Sequence, residues 1–395
     1  MKVDVSKWEL KTLGDVCTFK RGLTYPKSEE SAVITSNVVL RSNNIDLNTC
    51  ALVFNELKYL SDSYTIPNER KIVKDSILMC MSNGSSAHIG KVAYIDNDYD
   101  YAFGGFMGLI IPKNINPKFL YYKYRSESFK TFLWKIGNGI NITNLKFSSI
   151  SPLPIYLPTQ EEQNIIVKEL DTLQIIIDGY KAQIADLTEL AKSLFLDMFG
   201  DPIFNSKGWE NKLLSKVGNF ARGVSTHRPR NAPELLGGIM PLIQTGDIAN
   251  AGMYITKYSK TYSELGVKQS KVWSAGTLCI TIAANIGKCS ILKFEACFPD
   301  SVVGYIPNNN FVYNEYLFYV FERLQSIMEA NAPGVAQKNI NLAYLNSLQV
   351  PLPPIELQKE FISKINCIEK QKELLREQLT DAEQLMAERM QYYFS

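Results

Sequence analysis

The feature that most restricts the fold of this sequence is a stretch of forty residues, Gln160–Phe199, which contains no proline and one glycine, Gly179. Its apolar residues recur at alternating intervals of four and three, the spacing of a helix with a narrow apolar seam. The seam positions are Ile166, Leu170, Leu173, Ile177, Tyr180, Ile184, Leu187, Ala191, Leu194 and Met198. At about 1.5 Å per residue this helix extends roughly 60 Å, too long for one element of an ordinary globular core. We therefore predict that it pairs with a second helix.

The predicted partner lies 195 residues further along, where the same seam recurs with lapses at Lys372 and Arg389. Its seam residues include Phe361, Ile365, Ile368, Leu375 and Leu379. The entry into the helix is duplicated as well, because residues 157–163 align without a gap to residues 352–358. In both copies a proline ends an extended segment, and a Glu and a Gln follow in the predicted first turn, where the helix dipole favours acceptors and negative charge.

The segments before the two helices also repeat each other. The pattern Trp-Glu-x-x-x-Leu opens at Trp8 and at Trp209, an Arg-Gly pair recurs at 21–22 and 222–223, and Ile-Gly-Lys recurs at 89–91 and 286–288. A strand breaking into a polar turn is predicted at 40–45 and again at 243–248. Landmarks that recur in the same order indicate a tandem duplication. The intervening segments differ, so we predict one scaffold that presents two different surfaces.

The chain divides at the helix boundaries into segments of opposite charge. Residues 1–158 and 201–353 are predicted globular units with net charges of +5 and +4, whereas the helices, 159–200 and 354–395, carry −5 and −2. This distribution suits a polyanion bound by the globular units, although ordinary surface charge explains it as well. The N-terminus lacks an apolar signal and no run of 18 apolar residues occurs, which predicts a cytoplasmic protein. Seven scattered cysteines without a C-x-x-C pair favour neither disulfides nor zinc.

The sequence contains no recognised catalytic or cofactor motif. The Ile-Gly-Lys loops miss the first glycine and the final Ser/Thr of a phosphate loop, and the glycine-rich run at 103–108 does not fit a dinucleotide or methyl-donor pattern. The two histidines, His88 and His227, lie in non-equivalent loops without triad or metal-ligand spacing. We predict a protein that is not an enzyme and that holds no metal or cofactor of its own.

The ordered set of landmarks resembles the specificity subunit of type I restriction-modification enzymes over nearly all of residues 7–395. The resemblance implies an α+β fold with two tandem mixed α/β target recognition domains, 1–158 and 201–353. It also implies that the spacer helices, 159–200 and 354–395, form an antiparallel coiled coil, so that the domains are related by a pseudo-twofold axis. The implied partners are double-stranded DNA, two methyltransferase subunits that use S-adenosylmethionine, and restriction or translocase subunits, with no membrane involved. One departure from the repeat is Thr159, where the second copy has Pro354.

Base reading requires bidentate donors and acceptors, such as Arg for guanine and Asn or Gln for adenine, together with adjustable Ser and Thr. The turns at 41–44 and 244–247 supply these at equivalent places, although such residues also form turns for structural reasons. Nearby cations are predicted to bind phosphates. The polar residues at 141–144 and 337–339 are predicted either to bind DNA or to cap helices. The predicted DNA-contacting residues are Lys20, Arg21, Arg41, Ser42, Asn43, Asn44, Ser85, Ser86, His88, Lys91, Arg222, His227, Arg228, Arg230, Gln244, Thr245, Asp247, Asn285, Lys288 and Lys338.

These observations predict a DNA-recognition subunit in which each globular unit reads one half of a bipartite, asymmetric site and the helix pair sets the gap. Two alternatives remain open from the sequence. One is a subunit of a related, type II-like restriction system whose single enzyme carries cleavage and methylation on another chain. The other is a coiled-coil adaptor that binds protein and has no role on DNA.

Overall fold

A computed structural model describes residues 7–136, 144–283, 285–331 and 339–395 of the chain. Its contacts define two units, the first formed by Met1–Lys181 with Glu377–Ser395 and the second by Ala182–Arg376. Both divisions fall inside the long predicted helices, so each helix contributes about half of its length to each unit. The sequence-based boundaries treat the helices as segments of their own, whereas the packing assigns each half helix to a globular unit.

The described residues of the first unit form three sheets. Its described strands are β1 (Glu9–Thr12), β2 (Cys17–Arg21), β3 (Glu30–Ser31), β4 (Asn37–Leu40), β5 (Lys58–Leu60), β6 (Ile77–Cys80), β7 (Val92–Tyr94), β8 (Ala102–Phe103), β9 (Met107–Pro112) and β10 (Pro154–Leu157). The strand order is β2-β9-β6-β7 in an antiparallel sheet and β3-β5-β4-β8 in a second sheet, in which β4 and β8 are parallel; β1 pairs with β10. The helices before the first long helix are α1 (Leu13–Val16), α2 (Pro117–Arg125), α3 (Glu127–Ile136) and α4 (Phe147–Ile150).

The side chains of strand β6 show that the antiparallel sheet of the first unit is covered on both faces. All four of its side chains are buried, and they alternate between two cores. Ile77 and Met79 pack in the core that contains α2, whereas Leu78 and Cys80 pack in the core that contains Leu40. Because successive side chains of a strand point to opposite faces, the antiparallel sheet lies between the helices and the second sheet.

The first long helix, α5 (Gln160–Phe199), leads into the second unit, which repeats this architecture. The described strands are β11 (Asn211–Leu213), β12 (Gly218–Arg222), β13 (Leu236–Leu242), β14 (Tyr254–Ile255), β15 (Lys260–Tyr262), β16 (Val272–Trp273), β17 (Leu278–Thr281), β18 (Cys289–Leu292), β19 (Ala296–Cys297), β20 (Val302–Pro307) and β21 (Gln349–Pro351). The helices are α6 (Thr245–Ala251), α7 (Glu264–Lys268), α8 (Asn314–Asn331), α9 (Leu342–Ser347) and α10 (Ile355–Phe394). The sheets have the orders β12-β20-β17-β18-β14, β15-β13-β19-β16 and β11-β21.

Two of the repeated sequence landmarks are explained by backbone geometry. In the Arg-Gly pairs, a Cβ on Gly22 would lie 1.9 Å from the carbonyl oxygen of Gly104, and one on Gly223 would lie 2.3 Å from that of Pro299. In the Ile-Gly-Lys loops, Gly90 and Gly287 have φ values of +77° and +78°, in the left-handed region that favours glycine. Each landmark therefore marks a place where a side chain does not fit.

The long helices pack against each other within the first unit, and they run antiparallel there. Glu169 near the start of α5 accepts a hydrogen bond from the Tyr393 hydroxyl (2.6 Å) and pairs with Arg389 (2.9 Å). Lys181, twelve residues later, pairs with Glu383 at 2.8 Å, which is earlier in α10. In the second unit, the Phe361 ring of α10 packs on Phe199 of α5, with ring centroids 5.0 Å apart.

The predicted seam is the inward-facing side of both helices. Ile166, Leu170, Phe361 and Ile365 are fully buried, and every residue of the main predicted seam set is buried or half-buried. The remaining members of that set are Leu173, Ile177, Ile184, Leu187, Ile368, Leu375 and Leu379. Lys372, a lapse in the sequence pattern, nevertheless occupies the seam, because it is 5% exposed and pairs with Glu369 at 2.7 Å. At the other lapse, Arg389 is exposed and the neighbouring Met390 is half-buried.

The glutamine of each helix entry ties the long helix to its globular unit. The buried Gln163 accepts the Asn116 N–H (2.7 Å) and donates to the Pro158 carbonyl (2.9 Å). Its counterpart Gln358 accepts the Tyr313 N–H and donates to the carbonyls of Phe311 and Pro353, each at 3.0 Å. The sequence predicts only a favourable interaction with the helix dipole, whereas the side chain joins three segments of the chain.

Candidate nucleic-acid interface

The candidate interface of the first unit lies at one edge of its two larger sheets. Strands β2 and β6 both pair antiparallel with β9, so their C-terminal ends meet the N-terminal end of β9. In the second sheet, β4 and β8 are parallel, and β8 leads through a tight turn into β9. The segments that follow β2, β4, β6 and β8 therefore converge, and a cleft of about 760 Å³ opens between them.

Two of the predicted DNA-contacting loops meet in this cleft. The Asn83 amide donates to the Ser42 hydroxyl (2.8 Å) and its oxygen accepts the Ser85 N–H (2.9 Å), which links the turn after β4 to the loop after β6. Arg41 and Asn43 are exposed beside them. Arg41 donates to the Glu56 carbonyl at 2.9 Å, which fixes its guanidinium on one side. The cleft thus presents Arg, Ser and Asn side chains from a rigid frame.

The structure corrects two of the predicted DNA contacts. Asn44 is fully buried, and its side chain accepts the Arg41 N–H and donates to the carbonyls of Val53 and Asn55. Lys91 is 9% exposed and donates to the Ile45 carbonyl at 2.7 Å, and burial lowers the pKa of its ammonium. Both side chains hold the turn after β4 in place, so neither is available to bases or phosphates.

The other predicted residues of the first unit lie around the loop after β6 or at the end of β2. Ser85 is exposed and leads into a short 3-10 helix, Ser86–His88, whose Ser and His are half-buried. Among the described residues, the His88 Nδ1 atom has no hydrogen-bond partner. Lys20 is half-buried and Arg21 is exposed.

Sequence reasoning missed three residues of this region. Arg70 donates to the Arg21 carbonyl at 2.6 Å, and it lies in one of the intervening segments that differ between the two copies. Tyr25 and Phe106 line the cleft, and Phe106 is 72% exposed. An aromatic residue beside two glycines at 104–105 was the available signal, because that pattern places an apolar side chain on a turn.

The second unit has an equivalent edge with different side chains. Arg222, at the end of β12, is exposed. In the loop that follows, the main-chain N–H groups of Thr226 and His227 both donate to the Gln269 side chain, at 2.8 and 3.0 Å. Arg230 and Arg228 approach the Asp300 carboxylate to 2.7 and 3.8 Å. One carboxylate thus faces two guanidinium groups, and a second, that of Glu234, lies 3.6 Å from the His227 ring.

The turn after β13 differs from its sequence-based prediction. Residues Thr245–Ala251 form a helix, α6, rather than a simple turn, because Asp247 accepts the Gln244 N–H at 2.8 Å and so caps the first turn. Gln244, Thr245 and Asp247 are half-buried. Gln244 and Asp247 line a cleft of about 740 Å³ together with Lys257 and Tyr258.

Asn285 and Lys288 are not brought to this cleft. Asn285 is exposed with φ of +57°, so it shapes the loop before β18. Lys288 is exposed but lines a separate cleft of about 580 Å³ with Lys192 of α5 and Glu322 of α8. Burial raises the pKa of the Glu322 carboxyl, whereas Lys192 and Lys288 oppose that rise. Lys338 lies outside the described residues.

The described part of the chain has no metal-binding arrangement, since no three His, Cys, Asp or Glu side chains are grouped to hold an ion. The seven cysteines are free, and burial raises the pKa of Cys17 to about 12, which keeps that thiol protonated. No helix in the described ranges has the length and apolar character needed to span a bilayer.

Comparisons with known proteins agree with this architecture. The family model described as "Type I restriction modification DNA specificity domain" matches the chain twice, at residues 5–189 and 206–384. The chain is 22% identical over 405 residues to the type I restriction enzyme StySPI specificity subunit of Salmonella potsdam, covering 95% of this chain and 85% of the relative. It is 23% identical to the EcoKI specificity subunit of Escherichia coli, with the same coverage. It is 25% identical to the putative MjaX specificity subunit of Methanocaldococcus jannaschii, covering 94% and 89%.

Solved structures match over nearly the full length. The S subunit of a type I restriction-modification system from M. genitalium superposes with a TM-score of 0.63 at 15% identity, covering all of this chain and 98% of that one. A second chain, from a study of complex assembly and conformational transition of the type I R-M system, gives a TM-score of 0.53 at 18% identity and covers 98% and 97%. At these identities the likeness establishes the fold.

Proposed function

The chain belongs to the type I restriction-modification DNA specificity family, and we propose that it reads a bipartite, asymmetric DNA site with two unlike surfaces. The observation that carries the proposal is that one architecture occurs twice with different side chains at the same edge. The first unit presents Arg41, Asn43 and exposed Phe106, whereas the second presents Arg228 and Arg230 around Asp300. Because the two surfaces carry different side chains on the same fold, each recognises a half-site of different base sequence.

We further propose that the long helices set the unread gap between the half-sites. Two observations support this: α5 and α10 are each forty residues long without a break, and each contributes to both units. The same helices would gather two methyltransferase subunits, and restriction subunits would join that complex. Methyl transfer from S-adenosylmethionine and cleavage would then belong to the partners, and this chain would supply recognition alone.

Methylome sequencing of a host that carries the complete system tests the proposal. The expected result is methylation at a site with two different specified parts separated by a fixed number of unspecified base pairs. A continuous palindrome would contradict the proposal. Arg41→Ala should relax or abolish one part of the site and leave the other part unchanged. Lys130→Ala removes a 63% exposed cation on α3, outside the cleft, and serves as the matched control.

A salt titration separates DNA recognition from an adaptor role. If the two units bind phosphates, the logarithm of the DNA affinity should fall linearly with the logarithm of salt concentration, at about 0.9 per phosphate contact. An affinity for duplex DNA that does not respond to salt would favour a protein-binding adaptor instead.

A further inference from the structure

Phe106 is an exposed aromatic residue on a fixed backbone. The Met107 N–H donates to the Gly104 carbonyl at 2.8 Å and closes a tight turn around Gly105 and Phe106. The Phe106 carbonyl accepts the N–H groups of Met81 and Ser82, at 2.9 and 3.1 Å, which ties the turn to the end of β6. Phe106 is nevertheless 72% exposed where it lines the cleft. The fold thus holds an apolar ring in solvent with little backbone freedom.

An aromatic ring on a fixed backbone is well suited to binding, because a partner that covers it restricts only the two torsions of its side chain. Polar side chains, among them Arg41, Asn43 and Asn83, line the same cleft, together with Tyr25 and Glu30. The cleft therefore combines hydrogen-bonding side chains with exposed apolar surface. A ligand that fits this cleft should present hydrogen-bonding groups around a small apolar group.

Base-pair edges in the major groove have this arrangement at A·T pairs, where the thymine 5-methyl group is apolar and the adenine and thymine heteroatoms are hydrogen-bonding groups. We propose that Phe106 reads a thymine methyl in the half-site bound by the first unit. This inference rests on the proposed DNA-recognition function and adds to it one specificity-determining residue and the chemical group that it recognises.

The second unit lacks an equivalent ring. Ser301 precedes β20 as Phe106 precedes β9, and its carbonyl accepts the Ile282 N–H (3.1 Å) as that of Phe106 accepts the Met81 N–H. The backbone position is thus the same, but its side chain is a small hydroxyl. Methyl reading at this position is consequently a property of the first unit alone.

The test measures binding of the full chain, assembled with the methyltransferase subunits of its own system, to duplexes that carry the mapped site. Each thymine of the Arg41-dependent half-site is replaced in turn by deoxyuridine, which removes only the 5-methyl group. For the wild-type complex, one replacement should weaken binding by about fourfold, the effect of burying one methyl group. Phe106→Ala should bind the thymine and deoxyuridine duplexes equally, whereas Phe106→Leu should retain part of the difference.

Phe204→Ala is the matched control, because that ring is 80% exposed but lies in the segment between α5 and β11. It should keep the fourfold preference. The inference is overturned if the Arg41-dependent half-site contains no thymine, or if Phe106→Ala keeps the wild-type preference for thymine. Either result leaves a wild-type complex that still binds its site specifically, so the proposed function would stand. Absence of specific binding by the wild-type complex would instead refute the proposed function and this inference with it.

Discussion

Replacing Gln358 with leucine removes the side chain that ties α10 to the second unit while keeping a similar volume. The wild-type residue is fully buried and makes three hydrogen bonds, to the Tyr313 N–H and to the carbonyls of Phe311 and Pro353. Leucine can replace none of them. The main-chain groups around the helix entry then lose their partners.

The loss in unfolding free energy can be worked out from these three hydrogen bonds. A buried main-chain group left without a partner costs about 1–3 kcal/mol, and a partly exposed one recovers part of this from water. Only the bond to Pro353 is fully buried, so we expect Gln358→Leu to destabilise the helix entry by about 2–4 kcal/mol. Gln163→Leu removes two bonds rather than three, and it should cost about 1 kcal/mol less in the first unit.

Hydrogen exchange of the full-length chain, followed by mass spectrometry, measures this effect separately in each unit. Gln358→Leu should accelerate exchange in peptides that cover 311–320 by about thirtyfold or more, since about 1.4 kcal/mol corresponds to a factor of ten. Peptides around Asn116 should keep their wild-type protection, and Gln163→Leu should show the opposite pattern. Gln160→Leu, at an exposed position of the same helical turn as Gln163, is the control and should change little. Unchanged protection of 311–320 in Gln358→Leu would refute the reasoning.

Three further predictions concern charge and helix length. Burial lowers the pKa of Lys123 from 10.5 to about 8, so the folded chain releases a proton that the unfolded chain retains. Relative to Lys123→Met, the unfolding free energy of the wild type should therefore rise by about 3 kcal/mol between pH 8 and pH 10.5, and a constant difference would contradict this. Asp300→Asn should strengthen DNA binding and steepen its salt dependence by about one phosphate contact, because Arg228 and Arg230 lose their carboxylate; a shallower slope would count against a DNA-facing loop. Seven residues inserted in heptad phase after both Lys181 and Arg376 should lengthen the helices by roughly 10 Å and widen the unread gap by about three base pairs, and an unchanged gap in the methylome would show that the helices do not set it.

Periodic and repeated features of the molecule were predictable from the sequence. The alternating spacing from Ile166 onward identified the buried side of α5, and the 195-residue repeat located its partner. The recurrence of Arg-Gly and Ile-Gly-Lys identified positions that prove to require glycine. Such features are local or strictly repeated, so the sequence alone contains them.

The burial of individual polar residues was not predictable in the same way. Lys91 follows a polar loop that is expected to be exposed. Its ammonium nevertheless donates to the carbonyl of Ile45, which is 46 residues away in the sequence. Asn44 has the composition of a base-reading turn and instead bonds to residues 53 and 55. Lys372 breaks the apolar pattern and is still buried, because Glu369 one turn earlier neutralises it. In each case the partner is set by tertiary packing or by a neighbouring charge, which periodicity does not reveal.

Residues 377–395 belong to the first unit, although the second unit separates them from it in the sequence. The core of that unit contains Leu170 and Ile177 but also Met386, Tyr393 and Phe394, which the ribosome adds after the whole second unit. At about 5–20 residues per second, the first 181 residues wait roughly ten to forty seconds for the side chains that cover them. During translation this surface is open to chaperones, and a stop codon that removes the final turns of α10 should impair the unit made first.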